Sequence, residues 1–374
     1  ALFGQHHDGQ RGERFGHRGD AKDGVGPHRR AGIGIAQAEA LLVGDLAPAR
    51  DQHHRAGDFA LVDAQLHPVA QALQSRRGQA DILGPGGSGQ FLGGQCGGAG
   101  QSQDHFMFVD SHCHLTFPEL ASHWPEIRDA MAAAQVERAL CICTTIEEFP
   151  DVHQLASSET NLWATVGVHP DNEGVYEPSV ADLVERARLP RVLAIGETGL
   201  DYYQMEERKG GRSVTDMEWQ RQRFRTHIRA ARQISKPLVI HTRAASHDTL
   251  AILKEEGEDA SPASAGGVFH CFTETAEVAR AALDLGFFIS FSGILTFKTA
   301  QDLRDVAAFV PDDRLLIETD SPYLAPVPYR GKLNTPAYVP WVAKQLAEVR
   351  RTSVDHIAML TSANFDRLFQ PEAC

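Results

Sequence analysis

The sequence predicts an α/β fold, a (β/α)8 TIM barrel, over residues 107–374, preceded by a low-complexity extension over residues 1–106. Three observations carry that expectation. Short apolar runs alternate with helix-length stretches eight times in about 260 residues, the size and count of a closed barrel. The runs are apolar almost throughout rather than at every second residue, as strands covered on both faces are. The first strand-to-helix turn carries no G-x-G-x-x-G, which an open doubly wound sheet that binds a dinucleotide would place there.

The first strand is expected at Phe108–Asp110 and runs into Ser-His-Cys-His, with a helix over Trp124–Gln135. Strand two, Arg138–Thr144, is followed by a helix over Ile146–Ser157. Strand three, Leu162–Gly167, ends in Val168-His169-Pro170, with a helix over Ser179–Arg188. Strand four, Arg191–Gly196, ends in Glu197-Thr-Gly-Leu-Asp201, and a long helix covers Asp216–Ile234. Strand five, Pro237–Ile240, ends in His241-Thr-Arg243, with a helix over Ser246–Glu256. Strand six, Gly267–Phe269, ends in His270-Cys-Phe272, with a helix over Thr275–Leu285. Strand seven, Phe287–Phe291, ends in Ser292-Gly293, with a helix over Ala300–Phe309. Strand eight, Arg314–Ile317, ends in Glu318-Thr-Asp320, and helices over Pro336–Arg350 and Ser353–Phe369 close the chain.

Residues 1–106 differ in kind. They hold 21 of the 33 glycines and 8 of the 18 histidines, with nine Arg against a single Lys and no Trp, Tyr or Met. Only Ile33–Leu46 and Phe59–Leu73 carry enough apolar residues for short helices, and the Gly-rich 84–100 reads as flexible. The histidines there have no regular ligand spacing. The first Met is Met107, one residue before the first strand, so translation is expected to begin there, with 1–106 a mis-assigned upstream extension or a disordered tail.

Composition narrows the function. The chain of 374 residues carries a formal net charge of −13, which argues against gripping nucleic acid by bulk charge, so any phosphate chemistry is local. No run of ~18 apolar residues exists to span a bilayer. The six cysteines form no paired framework, and Cys141 and Cys143 are too close in sequence for an unstrained bridge. They read as small core residues of a soluble protein in a reducing compartment, the cytoplasm.

Strand C-termini converge on one face of a barrel, and function sits there. Those ends supply His112, His114, His169, Glu197, His241, His270 and Asp320. Residues i and i+2 of a strand share a side, so His112 and His114 reach one ion while Cys113 turns away. A single histidine is more often a hydrogen-bonded core residue than a ligand, but seven such groups at one face do not arise that way. Imidazole and carboxylate together suit Zn, Mn, Fe or Ni. Six ligands exceed what one catalytic ion takes, so two divalent ions are expected. His112, His114 and Asp320 would hold one, His241 and His270 the other, and Glu197 would bridge them. Two ions ~3.5–4 Å apart suit phosphoester cleavage by a shared activated water.

The strings VDSHCHL, VGVHP, IGETGLDYY, VIHTR, FHCFTE, FSGILTFK, ETDSPYLAPVPYRGK and ANFDRLF resemble the TatD family of metal-dependent deoxyribonucleases, its YcfH-like branch most closely, over residues 108–369. The resemblance implies a metallo-dependent hydrolase of the TIM-barrel type using two divalent ions, Zn, Mg or Mn. It places His169 near the scissile phosphate, has Asp320 bind metal and handle the proton of the attacking water, and makes Arg243 a phosphate contact. DNA ends or single strands would be the substrate, cut in a 3'-5' exonuclease-like manner; a self-contained barrel is by default a monomer. Asp171 stands where His is common, and Leu333 and Thr335 where charged or amide residues are common, which leaves substrate preference open.

Around that set, Tyr202 or Tyr203 is expected to stack on a base or sugar, and Arg330 and Lys332 to add local positive charge. Asp201 is expected to orient a ligand histidine, and 255–259 to form a solvated helix end. Two other readings are an amidohydrolase-type barrel acting on a small-molecule ester or C–N bond, and a non-catalytic metal-stabilised scaffold. The former often bridges its metals with a carboxylated lysine on strand four, and no lysine lies between Gln135 and Gln204.

Overall fold

Eight parallel strands follow one another around the sheet in chain order: β1 (Phe108–Cys113), β2 (Val136–Cys141), β3 (Leu162–Val166), β4 (Val192–Asp201), β5 (Leu238–Arg243), β6 (Gly267–Phe269), β7 (Phe288–Phe291) and β8 (Leu315–Ile317). The computed structural model describes residues 107–203 and 211–371, so the expected helices at 33–46 and 59–73 lie outside the described residues. The last seam is closed beyond the strands proper. The Asp320 N–H donates to His112 O (2.9 Å), the His114 N–H donates to Ser321 O (2.8 Å), and Cys113 bridges Ser321 in parallel register. Buried Asp110 fastens the same seam by accepting the Thr319 N–H (2.9 Å) and hydroxyl (2.5 Å).

Helices alternate with the strands: α1 (Pro118–Ala121), α2 (Trp124–Ala133), α3 (Phe149–Ser158), α4 (Val180–Ala187), α5 (Glu218–Ile234), α6 (Ser246–Glu255), α7 (Ala276–Asp284), α8 (Gln301–Phe309), α9 (Val339–Arg350) and α10 (Val354–Phe369). Several begin where a side chain satisfies an otherwise unpaired N–H. Ser179 and Asp182 form a reciprocal capping box for α4, Thr275 caps α7 and Ser353 caps α10. The strands' other faces and these helices enclose the larger apolar core. Val109, Leu140, Trp163, Leu193, Val239, Val268, Phe288 and Leu316, one from each strand, form a second buried cluster with Phe365 and Phe369 of α10. Only the inside of a barrel brings eight strands to one cluster, so α10 plugs one end with aromatic rings while the strand C-termini stay free for polar work.

Most expected elements are present with ends shifted by a few residues; the short α1, 3-10 turns such as Gly293–Thr296, and β4 differ. Strand four does not stop at Gly196 but continues to Asp201, so Glu197 sits within the strand rather than after it. Glycine makes this possible. At Gly199 (φ +139) a Cβ would lie 1.9 Å from His241 O, and at Gly196 (φ +154) it would lie 2.7 Å from Val239 O. The bare backbone lets β4 press onto β5 and carry Glu197 into the mouth. The acidic run 255–259 is a solvated end only at Glu255 and Asp259. Glu258 is fully buried, accepting from Arg232 and from the Ala265 and Gly266 N–H groups, and Glu256 pairs with Arg225 and Arg229.

Replacing Gly199 with Ala adds both a left-handed strain and a backbone clash. It is expected to cost upwards of ~3 kcal/mol in urea unfolding, against ~1 kcal/mol for a typical substitution.

Candidate metal centre

Glu197 is the middle of the site. Its Oε2 lies 3.4 Å from His112 Nε2 and 3.8 Å from His114 Nε2, both on or just after β1. Its Oε1 lies 2.8 Å from His270 Nε2, 3.3 Å from His241 Nδ1 and 3.4 Å from His169 Nε2. Asp320, in a left-handed turn just after β8 (φ 57), brings Oδ1 to 3.5 Å from His112 Nε2 and 3.3 Å from His114 Nε2. The seam hydrogen bonds between His112, His114, Asp320 and Ser321 therefore also register these groups to one another.

The donors fit divalent ions. His112 Nε2 and His114 Nε2 stand 3.2 Å apart, although neither Nδ1 has a hydrogen-bond partner. His270 Nε2 is close to Glu197 without the alignment of a hydrogen bond. Imidazole and carboxylate atoms converging in a buried space, with ring nitrogens of His112, His114 and His270 left without partners, mark a cation site. A tetrahedral ion with bonds of ~2.0–2.1 Å spaces its ligand atoms ~3.3–3.4 Å apart, close to the separations around His112 and His114. Three overlapping groups are close enough to hold an ion: His112, His114 and Glu197; His112, His270 and Asp320; and His169, Glu197 and His241. The expected division is thus blurred at His270, which stacks on His112 with ring centroids 3.8 Å apart and reaches both sides.

Charge follows the same plan. Burial opposes ionisation of Glu197, yet His270, His169 and His112 hold its carboxyl well below the usual range. Desolvation likewise opposes ionisation of Asp320, yet its hydrogen bond with His114 holds it below its ordinary value. Burial also works against charge on His241 and His270, but their carboxylate partners raise both. His112 and His169 go the other way; burial lowers them, His169 to about 3.

Outer partners decide which nitrogen faces the centre. His241 Nε2 donates to Asp201 Oδ2 (3.1 Å), so its Nδ1 lone pair faces Glu197, and Asp201 orients a histidine as expected. His270 Nδ1 donates to Glu318 Oε1 (3.3 Å), leaving Nε2 to the centre, while the same oxygen accepts the Cys271 N–H (2.6 Å). Glu318 and Asp110 were not singled out from the sequence. The one available signal was spacing, since each lies two residues from an expected ligand.

The mouth opens into a cavity of about 280 Å³, whose lining includes His114, His169, Asp171, Glu197, His241, Arg243, His270 and Asp320. Arg243 lines it while pairing with Asp201 (2.7 Å) and lying over the Tyr203 ring (4.3 Å). Tyr203 faces the cavity and Tyr202 does not. Tyr202 is buried, its hydroxyl bonded to Asp248 (2.9 Å) and Arg221 (3.3 Å), so the stacking expectation for it is corrected. Lys332 is exposed and outside the lining, and Arg330 lies over Phe297 instead. Leu333 and Thr335 pack inward, and Asn334 between them holds the Thr319 and Tyr323 carbonyls (2.9 and 2.6 Å). That loop shapes the Asp320 turn rather than facing the cavity.

A parallel eight-stranded barrel with imidazoles and carboxylates gathered at its C-terminal mouth defines a metal-dependent hydrolase. The chain belongs to the TatD family: residues 109–370 match the family described as TatD related DNase. It is 45% identical to YcfH, an uncharacterized metal-dependent hydrolase of Escherichia coli K12, over 71% of this chain and 97% of that one. It is 30% identical to TatD of Salmonella typhimurium, named a 3'-5' ssDNA/RNA exonuclease, over 70% and 98% of the two chains. Among solved structures it resembles YjjV, a TatD homologue of E. coli K12, with a TM-score of 0.62 and 29% identity over 70% of this chain and 98% of that one.

Glu318 orients His270, an expected metal ligand, through its Nδ1. Glu318→Ala is expected to weaken binding of Zn²⁺ or Mn²⁺ by ~10–100-fold in a chelator competition, with the fold retained.

Proposed function

We propose that the protein is a divalent-metal-dependent phosphodiesterase that trims nucleic acid from an end, most simply a 3'-5' deoxyribonuclease. One observation carries the reading. A single buried carboxylate, Glu197, turns one oxygen to the His112–His114 pair and the other to His169, His241 and His270. Two Zn, Mg or Mn ions held by His112, His114 and Asp320 on one side and His241 and His270 on the other, with Glu197 between them, would supply an activated water and neutralise phosphate charge.

The chain's own groups complete the chemistry. Asp171 N–H donates to His169 Nδ1 (3.1 Å), so the neutral ring carries its proton on Nε2, which points towards Glu197 and the cavity. A protonated nitrogen is a donor, not a ligand. His169 therefore hydrogen-bonds a phosphoryl oxygen rather than holding an ion, although distance alone groups it with Glu197 and His241. Asp320, at the cavity wall, uses Oδ1 toward His112 and His114 and keeps its second oxygen to take the proton of the attacking water. Arg243, fixed by Asp201 and stacked on Tyr203, presents its guanidinium to the substrate phosphate or base.

The cavity volume suits one terminal nucleotide better than a duplex, and the −13 net charge argues against gripping a long duplex by bulk charge. The Salmonella relative's name supports a single-stranded substrate. A monomer is the form expected of a self-contained barrel. Free thiols at Cys113, Cys141, Cys143 and Cys271 accord with the cytoplasm. Among the described residues no helix is long and apolar enough to cross a membrane.

Metal-stripped protein supplied with Mg²⁺, Mn²⁺ or Zn²⁺ is expected to shorten an end-labelled single-stranded DNA from its 3' end, at least ~100-fold faster than Glu197→Ala. Ion binding without cleavage under every metal would turn the reading to a small-molecule substrate.

A further inference from the structure

We infer that His227 and Arg223, one turn apart on α5 and outside the cavity, are positioning residues that set both the place and the proton of His169. This rests on the reading of His169 as a phosphate donor, and it extends that reading to a helix that never touches substrate. Beyond Val166 the chain leaves β3, so the backbone groups of residues 168–172 need partners outside the ladder. The His169 N–H finds Thr144 O (2.9 Å), and α5 supplies three others. The Val168 N–H donates to His227 Nε2 (3.0 Å). Arg223 Nη1 donates to His169 O (2.7 Å) and Nη2 to Asn172 O (2.8 Å).

The two side chains are themselves held. His227 Nδ1 donates to Arg223 O (2.8 Å), which leaves Nε2 as the acceptor that Val168 requires. His227 is fully buried, and burial brings it down to about 4, so the ring stays neutral and accepting at physiological pH. The Arg223 side chain, 1% exposed, pairs with Glu177 and lies over Trp219 (4.7 Å). Clamping both ends of the 169–172 turn fixes the Asp171 N–H against His169 Nδ1 (3.1 Å). That one hydrogen bond decides which ring nitrogen carries the proton. A loop free to move would let His169 exchange tautomers, and the Nε2–H donor would be lost for part of the time.

Three variants of the full chain test this: His227→Leu, which leaves the Val168 N–H unpaired; His227→Gln, whose carboxamide oxygen can still accept it; and Arg223→Met, which releases the two carbonyls. The first readout needs no substrate. In ¹⁵N-histidine spectra, His169 is expected to be a single Nε2–H tautomer in the wild type and in His227→Gln, and a mixture in His227→Leu and Arg223→Met. The second is kinetic. With Mn²⁺ restored, kcat on single-stranded DNA is expected to fall ~10–100-fold in His227→Leu and Arg223→Met, with Mn²⁺ affinity unchanged and His227→Gln within about threefold of the wild type. If one variant fails to fold, the other still reads the clamp. An unaltered His169 tautomer in folded His227→Leu or Arg223→Met overturns the inference, as does a loss of Mn²⁺ affinity that parallels the loss of kcat. A wild-type chain that cleaves no DNA overturns the phosphodiesterase reading instead, and the tautomer measurement still decides the clamp.

Discussion

A carboxylate buried beside five imidazoles sets the terms for the whole mouth of the barrel. Taking an ionised carboxyl out of water costs several kcal/mol unless cations or donors surround it. Glu197 meets that demand on both sides, with His112 and His114 at one oxygen and His169, His241 and His270 at the other. His112 and His169, which burial holds neutral, repay this poorly, so the arrangement suits bound cations. The glycines of β4 follow from it, because only a backbone without Cβ at Gly196 and Gly199 lets β4 lie close enough to β5 to hold Glu197 there. So do the outer carboxylates Asp201 and Glu318, each fixing which nitrogen of a histidine faces inward.

The two ends of the barrel divide the labour. At one end Phe365 and Phe369 close an apolar interior drawn from all eight strands, and that end carries stability. At the other, the strands run on into polar residues whose hydrogen bonds join β8 to β1 and register Asp320 against His112 and His114. The seam therefore serves the fold and the site with the same bonds.

Much of this was legible in the sequence because it depends on period and order. Apolar runs ending in His, Glu or Asp predict the strands and the residues that meet at their C-termini, and the structure brings His112, His114, His169, Glu197, His241, His270 and Asp320 together. Other features depend on neighbours distant in sequence. Glu318 acquires its meaning from His270, 48 residues away, and Asp110 from Thr319, 209 residues away. Tyr202 and Tyr203 are adjacent and alike, and only the path of the chain after β4 decides which one faces the cavity. Arg223 and His227 look like ordinary members of an Arg-rich amphipathic helix until the 168–172 turn is laid against them. The burial of Glu258 arises in the same way, from Arg232 on α5.

In the proposed function, Glu197 is shared between two cation positions. Anomalous scattering from crystals of the Mn²⁺-loaded protein tests it most directly. Two peaks are expected, one at each carboxylate oxygen of Glu197, with His112 and His114 around the first and His241 and His270 around the second. A single peak at one oxygen, or ions bound away from Glu197, would contradict it.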